Sequence, residues 1–211
     1  MGQGGYIFCE YKSVKQANSV YQLALAELES RIIAKCTEDW FPTKTPEQAF
    51  GGLVTQSGQF GRTSILPELF DNHLGVQMAH WRQLFTVAGH QTLIAGAHAG
   101  NTIPEDFKIA WIGLAFPNKN QHITEIKFQI GDRKYGRIDL EEMHLFDCPA
   151  LLFEEGILID EETAFDLYGF VEGPIPTHHD GYVGVHQRIV MLGAAYYKYA
   201  DKVLGNCGAA I

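Results

Sequence analysis

The densest group of side chains that could bind a metal lies near the end of the chain, and it consists of His178, His179, Asp180 and His186. Neighbouring residues of a strand point to opposite faces, so His178 and His179 could reach one ion only from a loop, and the prolines and glycines of residues 173–181 predict such a loop. Zinc sites use three or four converging protein ligands. We therefore expect a solvated loop without high-affinity zinc, and a metal-dependent enzyme that uses the loop histidines is an alternative.

A second group with possible chemistry is acidic. Asp160, Glu161 and Glu162 follow an apolar run that itself contains Glu154 and Glu155. Calcium prefers carboxylate oxygens, but the spacing is not that of an EF-hand loop. A charged turn also protects a sheet edge from pairing with other chains. We expect a solvated turn here and no cofactor, and a calcium site at this turn is the alternative.

Motifs for nucleophilic and nucleotide chemistry are missing from the sequence. Ser57 lacks the G-x-S-x-G frame, and no phosphate-binding G-x-x-x-x-G-K-[ST] run occurs. His90 and His98 do not form the H-x-H and glutamate pattern of cupin enzymes. His144 lies four residues before Cys148, but a nucleophile and its base meet in space rather than in sequence. We predict that the protein is not an enzyme.

The charge and the cysteine content limit which classes of partner and which cellular compartment the sequence favours. Asp and Glu number 25 against 16 Lys and Arg, a net charge of −9, whereas nucleic-acid binding relies on clustered basic residues. The widely spaced Cys9, Cys36, Cys148 and Cys207 contain no C-x-x-C pair and are interpreted as buried free thiols. The N-terminus lacks the features of a secretion signal, and no run of about 18 apolar residues could span a bilayer. We expect cytoplasmic synthesis and no direct nucleic-acid contact.

One amphipathic helix is predicted over residues 13–36. Val14, Ala17, Tyr21, Ala24, Leu25, Leu28 and Ile32 recur at steps of three and four, which gives one apolar stripe. Such a stripe packs on the protein's own sheet or on another subunit, and the sequence leaves both open.

The segment before the helix is a short aromatic arm. Tyr6, Phe8 and Tyr11 offer more apolar area than residues 2–12 can bury alone. We predict that these three residues, with Leu28 of the helix, form an assembly interface.

The second half of the chain alternates between apolar and polar residues, which predicts β-strands. The clearest stretch, residues 150–172, is interpreted as a hairpin with one buried face and an acidic turn. Residues 107–116 are almost continuously apolar, which indicates a strand buried on both faces. Gly193 is interpreted as a β-bulge. Further strands are predicted from residue 77 onward and over residues 91–97, 123–130, 135–140 and 182–199.

These elements predict a mainly β protein, an antiparallel jelly-roll-like β-sandwich of about eight strands with one N-terminal amphipathic helix. Residues 1–66 would hold the arm, the helix and a connection rich in glycine and proline, and residues 67–211 would form the sandwich. Only 19% of the residues are charged, which favours surfaces buried against partners.

Three groups of sequence segments carry a resemblance to a known family. They are residues 126–131, residues 156–159 with 163–167, and residues 188–193. With the arm and helix before them, they resemble the single jelly-roll capsid and virion structural proteins of viruses. The resemblance implies a subunit that self-assembles into a capsid or a similar shell or tube. Its partners would be copies of itself and other structural proteins of the particle, and its final location a virion or other extracellular assembly.

A carbohydrate-binding jelly-roll module is the main alternative. Exposed Trp40, Trp81 or Trp111 on a concave sheet face would favour it, because aromatic rings are a common platform in ligand sites.

Overall fold

The computed structural model describes residues 6–9, 20–50, 59–118, 120–145 and 148–198. These residues contain the helices α1 (Val20–Trp40), α2 (Pro46–Ala49) and α3 (Glu141–Leu145) and one 3-10 turn (Pro67–Leu69). Their strands are β1 (Tyr6–Cys9), β2 (Phe60–Ser64), β3 (Phe70–Asn72), β4 (Arg82–Phe85), β5 (Gly89–Gly96), β6 (Phe107–Ala115), β7 (Ile123–Ile130), β8 (Arg133–Lys134), β9 (Ile138–Asp139), β10 (Ala150–Ile159), β11 (Phe165–Val171), β12 (Val185–Arg188) and β13 (Val190–Lys198).

The strands form two large antiparallel sheets and one small one. Sheet A has the order β1-β10-β6-β13-β2, and sheet B has the order β3-β5-β11-β7-β8, with β9 also paired to β7. Sheet C consists of β4 and β12. Residues 60–64, which the sequence placed in the connection before the sandwich, form β2 at the edge of sheet A.

The strand order of the two large sheets is that of a jelly roll. Sheet A contains the run β10-β6-β13-β2, and sheet B contains the run β5-β11-β7-β9. Along the chain, these eight strands alternate between the sheets except for β7 and β9, which are neighbours in sheet B. Two interlocked Greek keys of this kind define the jelly-roll sandwich. The predicted fold class is therefore confirmed.

The predicted hairpin over residues 150–172 is wrong in its pairing. Both strands exist, but β10 lies in sheet A between β1 and β6, and β11 lies in sheet B between β5 and β7. Residues 160–164 cross from one sheet to the other. Alternation indicates that a strand has one buried face. The pattern is the same whether the next strand pairs with it in one sheet or faces it across the core from the other sheet.

The main core lies between sheets A and B. Trp111 of β6 is fully buried, and its ring meets those of Phe153 from β10 at 4.8 Å, Phe128 from β7 at 4.8 Å and Phe165 from β11 at 5.3 Å. All three contacts are edge-on, the arrangement that aromatic quadrupoles favour. Phe128 and Phe165 belong to sheet B, so Trp111 joins the two sheets through two of these rings.

Helix α1 covers the other face of sheet A. Leu25, Leu28, Ile32 and Cys36 are buried against a second apolar cluster that contains Ala110 and Ile112 of β6. Strand β6 thus sends alternate side chains into two cores, and the prediction that it is buried on both faces is confirmed.

The C-terminal end of α1 differs from the prediction. The predicted start lies outside the described residues, and the helix ends at Trp40 instead of Cys36. The Thr37 hydroxyl donates to the Ile33 carbonyl and the Phe41 N–H to the Thr37 carbonyl, so the helical bonds continue past Cys36 until Pro42.

Candidate interaction surface at one end of the sandwich

The loop that carries the candidate metal ligands is a tight, exposed turn. Thr177 and Val183 form an antiparallel bridge, and the N–H of Gly181, at a φ of 80°, donates to the His178 carbonyl. Asp180 Oδ1 accepts a bond from the Tyr182 N–H at 3.2 Å. The turn leads into β12 and so into sheet C.

The four candidate ligands do not converge. His179 and Asp180 are exposed at the turn, whereas His178 Nε2 lies 3.0 Å from the Gly184 carbonyl oxygen and is a donor there. His186 lies on β12, opposite Leu84 of β4. The described residues hold no group of three or more side chains that could bind a metal ion.

One face of sheet C presents positive charge instead. Arg82 and Arg188 lie directly opposite each other, and Leu84 and His186 form the next pair on the same face. We call these four residues the arginine face. Burial lowers the pKa of His186, and the charges of Arg82 and His178 lower it further. The positive charge of this face therefore disfavours a cation beside His186.

The opposite face of sheet C is held against the sandwich by the buried Gln187. Gln187 is fully buried, donates to the Asn120 carbonyl at 2.9 Å and accepts from the His122 N–H at 3.3 Å. Asn118 Oδ1 accepts a bond from the Arg188 N–H, and its Nδ2 donates to the Arg188 carbonyl, both at 3.2 Å. These bonds hold β12 in place beside the loop that precedes β7.

Exposed apolar side chains lie in the chain segments next to the strands of sheet C. Val87 and Val183 each lie two residues beyond the Phe85–Val185 pair that ends the ladder. The segment between β3 and β4 contacts sheet C through His73, whose ring centre lies 4.6 Å from that of Phe85. Among the described residues, seven large apolar side chains are exposed; of these, Leu23 belongs to α1 and Leu145 ends α3. We call the other five the tip surface, and they are Leu74, Val76, Val87, Tyr182 and Val183.

The acidic group predicted as a solvated turn points partly into the protein. Lys108, only 2% exposed, places Nζ 3.0 Å from Asp160 and 3.4 Å from Glu161. Glu161 also accepts bonds from Trp40 Nε1 at 2.8 Å and from the Asp106 N–H at 3.0 Å. An internal ammonium group thus occupies the place that a cation would take. Glu162, by contrast, is exposed, as are Glu154 and Glu155 at the irregularity in β10.

The three tryptophans do not form an open platform. Trp111 is in the core, the Trp40 ring packs edge-on against Phe60 at 5.8 Å, and the Trp81 ring lies 6.0 Å from that of Phe70.

A cavity of about 220 Å³ opens on sheet B near β7, β8 and β11. The Tyr135 ring stacks on Phe128 at 4.4 Å, and Lys127 Nζ lies 5.6 Å above the Tyr168 ring. The lining consists of Lys127, Phe128, Gln129, Lys134, Tyr135 and Tyr168.

The arm and the thiols complete the sequence candidates. Residues 6–9 form β1, which pairs with β10 of the same chain, while Tyr11 lies outside the described residues. Leu28 packs within its own chain. Burial raises the pKa of Cys36 to about 12, which makes this thiol inert.

Sequence reasoning missed both surfaces around sheet C. The phrases Arg82-Gln83-Leu84-Phe85 and Val185-His186-Gln187-Arg188 each alternate between exposed and buried residues. Because nearly one hundred residues separate them, alternation could identify two short strands but not their pairing.

No match to this chain was found among protein-family models, curated proteins or solved structures. Within the part of the chain that the structure describes, no helix is both long and apolar enough to cross a membrane.

Proposed function

We propose that the protein is a structural subunit that self-assembles into a capsid or a similar shell or tube. The tip surface carries this proposal. Five exposed apolar side chains lie in the segments that flank one small sheet, and exposed apolar patches mark sites of protein–protein contact.

The jelly-roll fold supports the same function by analogy alone, since capsid and lectin domains share it. A contact made by one end of the sandwich with a different surface of a neighbour would be heterologous. Such contacts generate closed rings or open tubes, depending on the rotation between neighbours. The subunit's partners are then further copies of itself.

Substitution on the tip surface tests the proposal. Val87→Asp and Val183→Asp replace exposed side chains, so both variants should fold as the parent does, and both should lose large particles in sedimentation velocity and electron microscopy. Leu23→Asp is the matched control, because Leu23 is exposed on α1 away from sheet C. Particles that form normally from both valine variants would contradict the role of this surface.

The cavity on sheet B favours a second candidate, a carbohydrate-binding module. Tyrosine rings can stack on the apolar face of a sugar, while Lys127, Gln129 and Lys134 offer donors to its hydroxyl or carboxylate oxygens. A glycan array would test this function with Tyr168→Ala. Phe170→Ala is the control, because Phe170 lies on the same strand beside His90 and does not line the cavity. Glycan binding that Tyr168→Ala alone removes would favour the module.

A further inference from the structure

The arginine face contains an electrostatic conflict. Arg82 and Arg188 are directly opposite in an antiparallel ladder, where facing side chains start about 5 Å apart and like charges destabilise the pair. Both residues are exposed. Among the described residues, neither guanidinium is within salt-bridge distance of a carboxylate, whereas Arg62 pairs with Glu29 and Arg137 with Glu125.

The other two side chains of this face carry no negative charge that would relieve the conflict. His186 lies two residues before Arg188 on β12 and diagonal to Arg82 across the ladder, and His178 is close enough for its charge to lower the pKa of His186. Leu84 supplies the remaining side chain of the face. This basic end belongs to a chain with a net charge of −9, so its positive charge is local.

We propose that the arginine face binds a doubly charged oxyanion, a phosphate or sulfate group, between the side chains of Arg82 and Arg188. Each guanidinium presents a planar fork of N–H donors that matches two oxygens, and two forks can hold a tetrahedral group by four charge-assisted bonds. The charge also fits, because a phosphate group carries about −1.5 to −2 at neutral pH against the two arginines. His186 adds a donor at the side of the group.

The support for this face suits a binding site. Asn118 bonds both the N–H and the carbonyl of Arg188, and the adjacent Gln187 is fixed by its buried bonds to residues 120 and 122. The backbone beneath the two arginines is therefore ordered before any ligand arrives. Only the long side chains need to be immobilised on binding, which limits the entropic cost. The site goes beyond self-assembly and does not depend on it.

Inorganic phosphate and inorganic sulfate are the probes. Thermal unfolding of the full chain should shift to higher temperature with either ion, relative to sodium chloride at equal ionic strength, because a ligand of the folded state stabilises it by mass action. Arg82→Gln and Arg188→Gln should each weaken the affinity about tenfold. The control is Arg133→Gln, which removes an exposed arginine opposite Ile130 and should bind as the parent does.

The stability difference between Arg82→Gln and the parent should change sign when phosphate is added, which separates a binding role from a merely structural one. Without phosphate, Arg82→Gln should be as stable as the parent or more stable, since it removes the like-charge pair; in phosphate the parent should be the more stable protein. Phosphate should also raise the pKa of His186, observed by NMR, by opposing the charges of Arg82 and His178, and should do so less in Arg188→Gln. A phosphate shift no larger than that in chloride, or full binding by both arginine variants, would overturn the proposal.

Phosphate groups that are bound in an ester provide a second part of the same test. Phenyl phosphate, which carries its group on a larger molecule, should compete with inorganic phosphate for the arginine face. Competition that survives equally in Arg82→Gln and Arg188→Gln would show that binding occurs elsewhere and would refute the site.

Discussion

The ammonium nitrogen of Lys108 lies 3.0 Å from Oδ1 of Asp160, although Lys108 belongs to sheet A and Asp160 begins the segment that crosses to sheet B. The same nitrogen lies 2.9 Å from Asp39 Oδ2 near the end of α1. One buried side chain therefore ties the helix, a sheet and the crossing segment together. Burial alone lowers the pKa of Lys108, but the bonds to Asp39 and Asp160 outweigh it, so the pKa is raised and the cation is retained.

Removal of this cation should destabilise the fold. Lys108→Ala removes the buried partner of Asp39, Asp160 and Glu161, although Lys35 still pairs with the two aspartates. Breaking a buried ion pair from one side costs roughly 3–5 kcal/mol, and the partial exposure of these carboxylates brings the expected loss down to about 2 kcal/mol. Urea unfolding at pH 7 measures the loss. Lys134→Ala, at an exposed lysine of β8, should change the free energy of unfolding by less than about 0.5 kcal/mol. Equal losses in the two variants would refute the role of Lys108.

The same cluster predicts how stability depends on pH. The bond from Lys108 lowers the pKa of Asp39 below its ordinary value of 3.8. A carboxyl with a depressed pKa in the folded state stabilises above its unfolded pKa and loses that contribution as the pH falls through the folded pKa. The stability difference between the parent and Asp39→Asn should therefore be full at pH 6 and shrink below a pH of about 4. A difference that stays constant down to pH 2 would contradict this linkage.

The apolar stripe of α1 gives a prediction with a matched control on the same helix. Leu28 is buried against sheet A, where Gly156 leaves the room its side chain occupies, whereas Leu23 is 69% exposed. Leu28→Asp should lose several kcal/mol, on the order of 4, because it buries an unpaired charge. Leu23→Asp should lose almost nothing. Thermal and urea unfolding compare the two, and similar melting of both variants would show that α1 is not held by this stripe.

The fold was predictable from sequence to the extent that it depends on local periodicity. The strands β5, β6 and β7 and the bulge at Gly193 appear where alternation and turn residues indicated them. The strand expected from residue 77 onward is instead an irregular segment followed by β4, which begins at Arg82. Short strands carry too few residues for a period to be distinguished from chance.

The candidate surfaces could not be predicted from the sequence, for a different reason. The charges of Arg82 and Arg188 were visible, but their opposition depends on β12 returning to β4 across the whole sandwich. The acidic residues Asp160 and Glu161 were correctly noted and their partner was not, because Lys108 lies fifty residues earlier on a strand that appeared wholly apolar. Pairing across a fold is set by topology, which a single sequence does not display.

The arm provides the prediction that most directly tests self-assembly. Strand β1 pairs with the outer edge of sheet A along β10, and every copy of the subunit offers the same edge. An arm exchanged between copies would keep all of its backbone bonds, so exchange costs little. We expect that deletion of residues 2–11 leaves a folded subunit that no longer forms particles. Full-sized particles from the truncated protein would contradict this.

A disulfide can show which subunit each arm is bound to. Cys9 lies directly opposite Ala150 in the antiparallel register, and facing residues have Cα atoms about 4.5–5.5 Å apart, within the range that a disulfide bridges. Ala150→Cys, oxidised in dilute subunits, should give an intrachain bond and a monomer band on a non-reducing gel. Oxidised in particles, it should give covalently linked oligomers if arms are exchanged, as we expect. Cys9→Ser combined with Ala150→Cys should give no linked oligomers from particles, because the arm then has no thiol. A monomer band from intact particles would mean that each arm stays on its own β10, and the deletion should then spare assembly.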